Sequence, residues 1–296
     1  MSTTLDILIT LATPQLLLRM SMVAVFVVTI AVLAEKLGPF LGGMVASLPL
    51  YTGPIYLMLA LERDAQYLWA STVGSIAICG ANPVYVLAYC LAARAGWGTG
   101  ASILAALGAW TTCAVIVQSN QWQVVEAVLF VAPIYAVAVP LAQGYTRGIA
   151  IRQAERGWMD LPLRAVLCGG LSGVVIVVSS FVPAQVTGIL SVLPVLMTSL
   201  IMVLHPRIGG PATAALLAHT LGGLIGMVLA FTVVNLTILH IGPPLALGIG
   251  LAITVAWNIS LIVIRRVFRA PAAAPSPPPP PPAAPPPLPQ AWRAHR

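Results

Sequence analysis

Few side chains in this chain are placed to do chemistry, and two of them can exchange a proton from within a long apolar run: Glu126 and His219. Glu126 lies four residues into the stretch 124–143, about 6 Å from its outer end at 1.5 Å per residue. There it either snorkels to water or serves as a proton or cation site, its protonated form favoured by desolvation. His219 lies eight residues into the stretch 212–236, near its middle, where it either relays a proton and binds solute or hydrogen-bonds a neighbouring helix. By depth the two are on the order of 12 Å apart, too far to pair directly. His219, Gly223 and Gly226 share one helical face, and Gly222-x-x-x-Gly226 permits close helix approach, so that face is expected to point inward. Ser75, Asn82, Tyr85 and Tyr89 fall on a single helical stripe, either lining a polar path or bonding to another helix. Asn235 and Asn258 lie nearer the ends of their runs and are weaker candidates.

Prolines form the second group. Pro49 and Pro194 each fall about nine residues into an apolar run, roughly 14 Å deep. Each removes a backbone N–H and displaces the carbonyl four residues earlier, at Val45 and Leu190, and Pro54 repeats the effect at Leu50. Such carbonyls survive in the middle of a bilayer only against protein or water.

The elements that carry these residues follow from composition. Charged residues make up 7% of the 296 residues, against roughly 25% in an ordinary soluble domain. Hydrophobic residues reach 59% and the mean hydropathy is +0.98. A soluble fold of this size could not cover its surface with so few charges. The surplus apolar surface must face lipid. The uncharged runs divide into nine expected helices at 16–34, 40–61, 68–92, 101–118, 124–143, 165–182, 186–204, 212–236 and 244–264, with ten spans the alternative. Twelve of the fourteen basic residues then fall on one side, leaving Arg19 and Arg63 on the other. This bias puts the N-terminus outside and the C-terminus in the cytoplasm of a bacterial-type inner membrane.

A duplication organises the spans. Gly43-x5-Pro49 matches Gly188-x5-Pro194 at an offset of 145 residues, and Arg19 matches Arg164 at the same offset. Pro39 and Pro183 match at 144, and Thr72-x-Gly74 matches Thr220-x-Gly222 at 148. Landmarks in one order at nearly one offset read as an internal repeat. Residues 1–123 form the first membrane repeat, 124–163 a linking helix with a basic loop, and 164–269 the second repeat. A single intervening helix inverts the second repeat relative to the first. Matched, interrupted helices in inverted halves point to a transport site. Residues 270–296 hold twelve prolines between positions 271 and 289, which exclude regular structure and leave a polyproline II or disordered tail.

Several functions are disfavoured. The net charge of +7 sits at the edges of apolar runs, not on one soluble face, so nucleic acid is not an expected partner. Cys79, Cys90, Cys113 and Cys168 lie within apolar runs without metal-site or redox spacing and read as small buried hydrophobes. Trp69, Trp97, Trp122 and Trp158 sit near expected interfaces, as an aromatic belt does. No H-E-x-x-H, Walker loop or G-x-S-x-G occurs, and an enzyme is not expected. His205 and His219, fourteen residues apart across a turn, lie at different depths and do not make a haem pair. No cofactor or metal is expected.

In size and duplicated layout the chain resembles bacterial inner-membrane carriers such as the drug/metabolite transporter superfamily. Members of that superfamily typically have ten spans as five plus five. The layout of four plus one plus four departs from this, and no site residue is carried over. The residues themselves point to a secondary transporter or exporter of a small, weakly polar or amphiphilic solute, working by alternating access. A structural membrane subunit and a lipid flippase are the alternatives. The expected solute site comprises Pro49, Tyr51, Thr52, Asn82, Pro194, Thr198 and His219, with Glu126 as the coupling or proton group. Expected partners are the lipid bilayer and the solute; self-association and a proline-binding partner for the tail are compatible with the sequence.

Overall fold

The computed structural model describes residues 52–146, 149 and 160–267, together with Ser21, Met22, Val25 and Thr29, which are helical. The expectations for Pro49, Tyr51, the first span, the basic loop before residue 160 and the proline-rich tail lie outside the described residues. Ten helices follow in chain order: α1 (Thr52–Glu62), α2 (Ala65–Cys79), α3 (Ala81–Arg94), α4 (Thr99–Gln118), α5 (Val124–Gln143), α6 (Asp160–Val178), α7 (Ala184–Ser191), α8 (Val195–Ile208), α9 (Gly210–Ile241) and α10 (Pro243–Val267). Among the described residues there is no strand.

Six helical stretches are long and apolar enough to cross a membrane: 65–94, 99–118, 124–143, 184–208, 210–241 and 243–264. They coincide with the third to fifth and seventh to ninth expected spans. Two of them are interrupted. Residues 68–92, read as one helix, divide at Gly80 into α2 and α3. Residues 186–204 divide at Val192–Pro194 into α7 and α8, a full interruption where the sequence suggests a kink.

Local chemistry sets the boundaries. Asp64 caps α2 by accepting the N–H of Tyr67 at 2.8 Å. The Trp122 indole donates to the Val117 carbonyl at 2.7 Å and closes the turn between α4 and α5. Gly209 and Gly242 adopt φ of 84° and 79°, a region costly for other residues, and so end α8 and α9.

At 32 residues α9 is about 48 Å long, well beyond the roughly 30 Å hydrocarbon core. It is the axle of the bundle, packing against α10, α2, α3, α5 and α8. Its small residues admit α10 closely. A Cβ on Gly226 would lie 2.9 Å from the Trp257 ring, and the indole N–H of Trp257 donates to the Gly222 carbonyl at 2.8 Å. The close approach expected of Gly222-x-x-x-Gly226 is therefore present, with α10 as the partner. α4, α5 and α10 lie outermost, and Leu104, Val115, Leu129, Val137, Leu245 and Val263 are exposed on them. An apolar exterior around a core with buried hydroxyls is the arrangement of a chain whose solvent is lipid.

Candidate functional site

The interruption between α7 and α8 leaves backbone groups that must be satisfied locally. Pro194 has no N–H for the Leu190 carbonyl, which instead accepts from Leu193 at 3.2 Å. With φ −78° and ψ 53°, Pro194 sits at the centre of a γ-like turn closed by Val195 N–H to the Leu193 carbonyl at 2.7 Å. The N–H of Val192 turns to Ile189 at 3.2 Å, so the last carbonyls of α7 need other donors.

Side-chain hydroxyls supply them. Ser75 of α2 donates to the Gly188 carbonyl at 2.9 Å, and Ser191 donates to the same oxygen at 2.8 Å. Thr52, the first residue of α1, donates to the Ser191 carbonyl at 3.1 Å. The Tyr56 hydroxyl completes the group by bonding Ser75 Oγ at 2.7 Å. Thr52, Tyr56, Ser75 and Ser191 are all buried. The helices can meet this closely because of glycine. A Cβ on Gly188 would overlap the Ser71 carbonyl, and one on Gly74 would overlap the Gln185 carbonyl.

The same seam continues along α3 and α8. Tyr85 bonds Thr198 Oγ1 at 2.8 Å, and Thr198 in turn donates to the Pro194 carbonyl at 2.8 Å. One turn further, the Tyr89 hydroxyl shares a 2.8 Å hydrogen bond with His205 Nδ1, the rings meeting edge to face. Residue numbers rise together on the two sides, so the interrupted spans 65–94 and 184–208 run parallel. Ser75, Tyr85 and Tyr89, three residues of the expected stripe, all bond across this seam.

Asn82, the fourth, differs. It is 3% exposed, and its Oδ1 is buried without a hydrogen-bond partner. By register it falls between the Ser75–Ser191 and Tyr85–Thr198 contacts, at the level of the Val192–Pro194 turn. The next residue, Pro83, has no N–H for the Cys79 carbonyl. That carbonyl accepts the Tyr135 hydroxyl of α5 at 3.2 Å.

The expected site residues therefore separate into groups. Thr52, Pro194 and Thr198 are joined by hydrogen bonds around one helix break, and Asn82 lies at its level. His219 does not turn inward with Gly223 and Gly226: it is exposed, whereas both glycines are buried. α10 meets this face at Gly222 and Gly226, through Leu261 and Trp257, and the buried residues of α9 in the turns around His219 are Thr213, Leu217, Leu221 and Leu224. Glu126 is exposed and forms a capping box with Gln123, whose backbone N–H donates to Glu126 Oε2 at 3.0 Å. A carboxylate at a helix N-terminus is also favoured by the helix dipole, so capping accounts for this residue's position.

Tyr56, Ser191 and Trp110 belong to the surroundings of the break but were not legible as such. Tyr56 follows the first duplicated glycine–proline segment and Ser191 lies within the second, and that proximity is the one signal the sequence offers. At the end of the seam nearest the α1–α2 turn, Arg63 donates to the Ser179 carbonyl at 3.1 Å and lies 5.0 Å over the Tyr67 ring, which ties that turn to the end of α6. Cys79, Cys90 and Cys168 are buried and unbridged. No protein-family model, no curated protein and no solved structure matches this chain.

Proposed function

We propose that this protein is a secondary transporter of a small, weakly polar or amphiphilic solute, working by alternating access in a bacterial inner membrane. The observation that carries this reading is the pair of parallel spans interrupted at the same level, 65–94 at the single residue Gly80, which keeps helical φ and ψ, and 184–208 more fully at Val192–Pro194. A rigid scaffold gains nothing from two broken helices in mid-bilayer, whereas a carrier uses such breaks as its binding and hinge points. Their seam carries side-chain hydroxyls of Ser75, Tyr85, Ser191 and Thr198, which can exchange partners as helices shift.

The reading includes nine spans in two inverted repeats, with the N-terminus periplasmic and the C-terminus cytoplasmic. The two proposed halves pack on each other: α1 reaches Ser191 through Thr52 and Phe231 through Tyr56, while α2 reaches Ser191 through Ser75 and Asn235 through Thr72. The solute site is centred on Thr52, Asn82, Pro194 and Thr198, with Pro49 and Tyr51 as the matching contribution of the preceding segment. His219 and Glu126 are left outside it.

The test is an untargeted metabolite comparison between a deletion strain, its complemented parent and a Pro194→Ala complement. A solute whose distribution changes on deletion should be restored by the parent gene, and by Pro194→Ala at no more than about a tenth of the rate, since hinge loss affects turnover. Wild-type restoration by Pro194→Ala, at equal membrane abundance, refutes the alternating-access reading.

A further inference from the structure

Three buried polar side-chain atoms among the described residues are left without partners; one is Arg63 Nε at the α1–α2 turn, and the other two lie at one depth of the bundle. These two are Asn82 Oδ1 of α3, an acceptor, and Trp110 Nε1 of α4, a donor. α3 and α4 form a hairpin through the turn at residues 95–98 and pack along their length. Asn82 lies twelve residues before the end of α3, and Trp110 lies eleven after the start of α4. Both are therefore roughly 17 Å from the shared turn, close to the middle of the bilayer. Each side chain is 3% exposed. α4 also packs against α7 and α8, which bring the Val192–Pro194 turn to the same level.

A buried donor and a buried acceptor left open each cost free energy, and in a bilayer no lipid group offers relief. Had packing alone been the requirement, apolar side chains would occupy these positions without that cost. The surrounding helices add a second constraint. From Ala65 to Ala93, Thr99 to Gln118 and Ala184 to Leu204 there is no carboxylate, amine, guanidinium or imidazole side chain. The imidazole on these helices, His205 of α8, bonds Tyr89 about 10 Å beyond Asn82 along α3, so a charged ligand at the level of Asn82 would be stripped of water without a counter-charge in contact.

From these observations we infer that Asn82 Oδ1 and Trp110 Nε1 form the polar recognition pair for an uncharged solute bearing an adjacent hydrogen-bond donor and acceptor on an apolar body, as in a primary amide or an alcohol. The solute donates to Asn82 and accepts from Trp110, while the Tyr85–Thr198 pair and the Pro194 turn border the site. This assigns a solute class to the site proposed above, and rests on that reading for its role in transport but not for binding itself. In the present conformation both atoms are shielded from solvent, so the solute enters when the seam between α2–α3 and α7–α8 opens.

The test uses the full-length protein in lipid nanodiscs and equilibrium binding of two labelled probes, benzamide and N,N-dimethylbenzamide. The first carries donor and acceptor; the second carries the acceptor alone. Wild-type protein should bind benzamide saturably and prefer it roughly tenfold, the worth of about one hydrogen bond. Asn82→Leu should erase that preference, and Trp110→Phe should weaken both probes by a similar factor. Both substitutions remove an unpartnered polar atom, so melting temperatures should hold or rise. Should Asn82→Leu nevertheless fail to fold, Trp110→Phe decides alone. Absence of saturable binding, as for a site that holds only structural water, overturns the inference. Unchanged binding in Trp110→Phe, or a preference that persists in Asn82→Leu, does so too. Benzamide flux into proteoliposomes separates the two levels. Saturable, Asn82-dependent binding without protein-dependent flux keeps the recognition pair and refutes the carrier.

Discussion

At the scale of single residues, the shared feature of the two breaks is a hydroxyl that satisfies a carbonyl the helix has released. Pro83 leaves the Cys79 carbonyl without its helical partner, and Tyr135 reaches across from α5 to supply one. Pro194 ends the helical pairing of α7, and Ser75, Ser191 and Thr52 take up the last carbonyls. The Tyr135 bond can be isolated. Tyr135→Phe should lower unfolding stability by about 1 kcal/mol, because it leaves a buried carbonyl short of a donor. In a Pro83→Ala background a backbone N–H becomes available to the same carbonyl, so the loss should shrink. A double-mutant cycle on thermal unfolding in detergent measures this, and equal losses in both backgrounds would show that Tyr135 does not serve the freed carbonyl.

At the scale of elements, the crossing of α2 with α7 depends on glycines that share no sequence neighbourhood. Gly74 and Gly188 each face the other helix's backbone so closely that one methyl group would overlap it. Gly188→Ala should therefore cost about 1–3 kcal/mol or abolish accumulation in the membrane. Gly108 provides the contrast. It lies within α4 with open space where a Cβ would be, so Gly108→Ala should stabilise the protein by about 0.5–1 kcal/mol through helix propensity. Melting temperatures of the two variants should move in opposite directions. A neutral Gly188→Ala would mean the helices meet less closely than described.

For the molecule as far as it is described, the outer helices expose apolar side chains around a core that is itself apolar apart from the hydroxyls of the seam, so its exterior is far more apolar than that of a soluble bundle. Orientation in the membrane rests on the arginine asymmetry. Reporter fusions at residues 62–66 are expected to read periplasmic, and fusions within 147–160 cytoplasmic. An intervening odd number of crossings, through α2–α3, α4 and α5, requires those two sites to lie on opposite faces. A periplasmic signal from the second region would reverse the orientation, and equal signals would break the count of spans.

The sequence by itself determined what depends on local composition and spacing. Long uncharged runs must be helices in lipid, because only helices or closed barrels satisfy every backbone group there. Pro183 and Gly242 fall between the expected spans, and the stripe of Ser75, Tyr85 and Tyr89 already lay on one helical face. The interruption at Pro194 was legible as a proline at depth. What it becomes, two helices and a turn, was not, because that outcome depends on whether distant hydroxyls can satisfy the freed carbonyls. Periodicity states which residues share a face but not what that face meets. Only the tertiary structure decided that Gly223 and Gly226 turn inward without His219, that Glu126 serves as a cap, and that Trp110 lies at the depth of Asn82. Each of those outcomes depends on the register between helices remote in the chain, and no single-helix pattern carries that information.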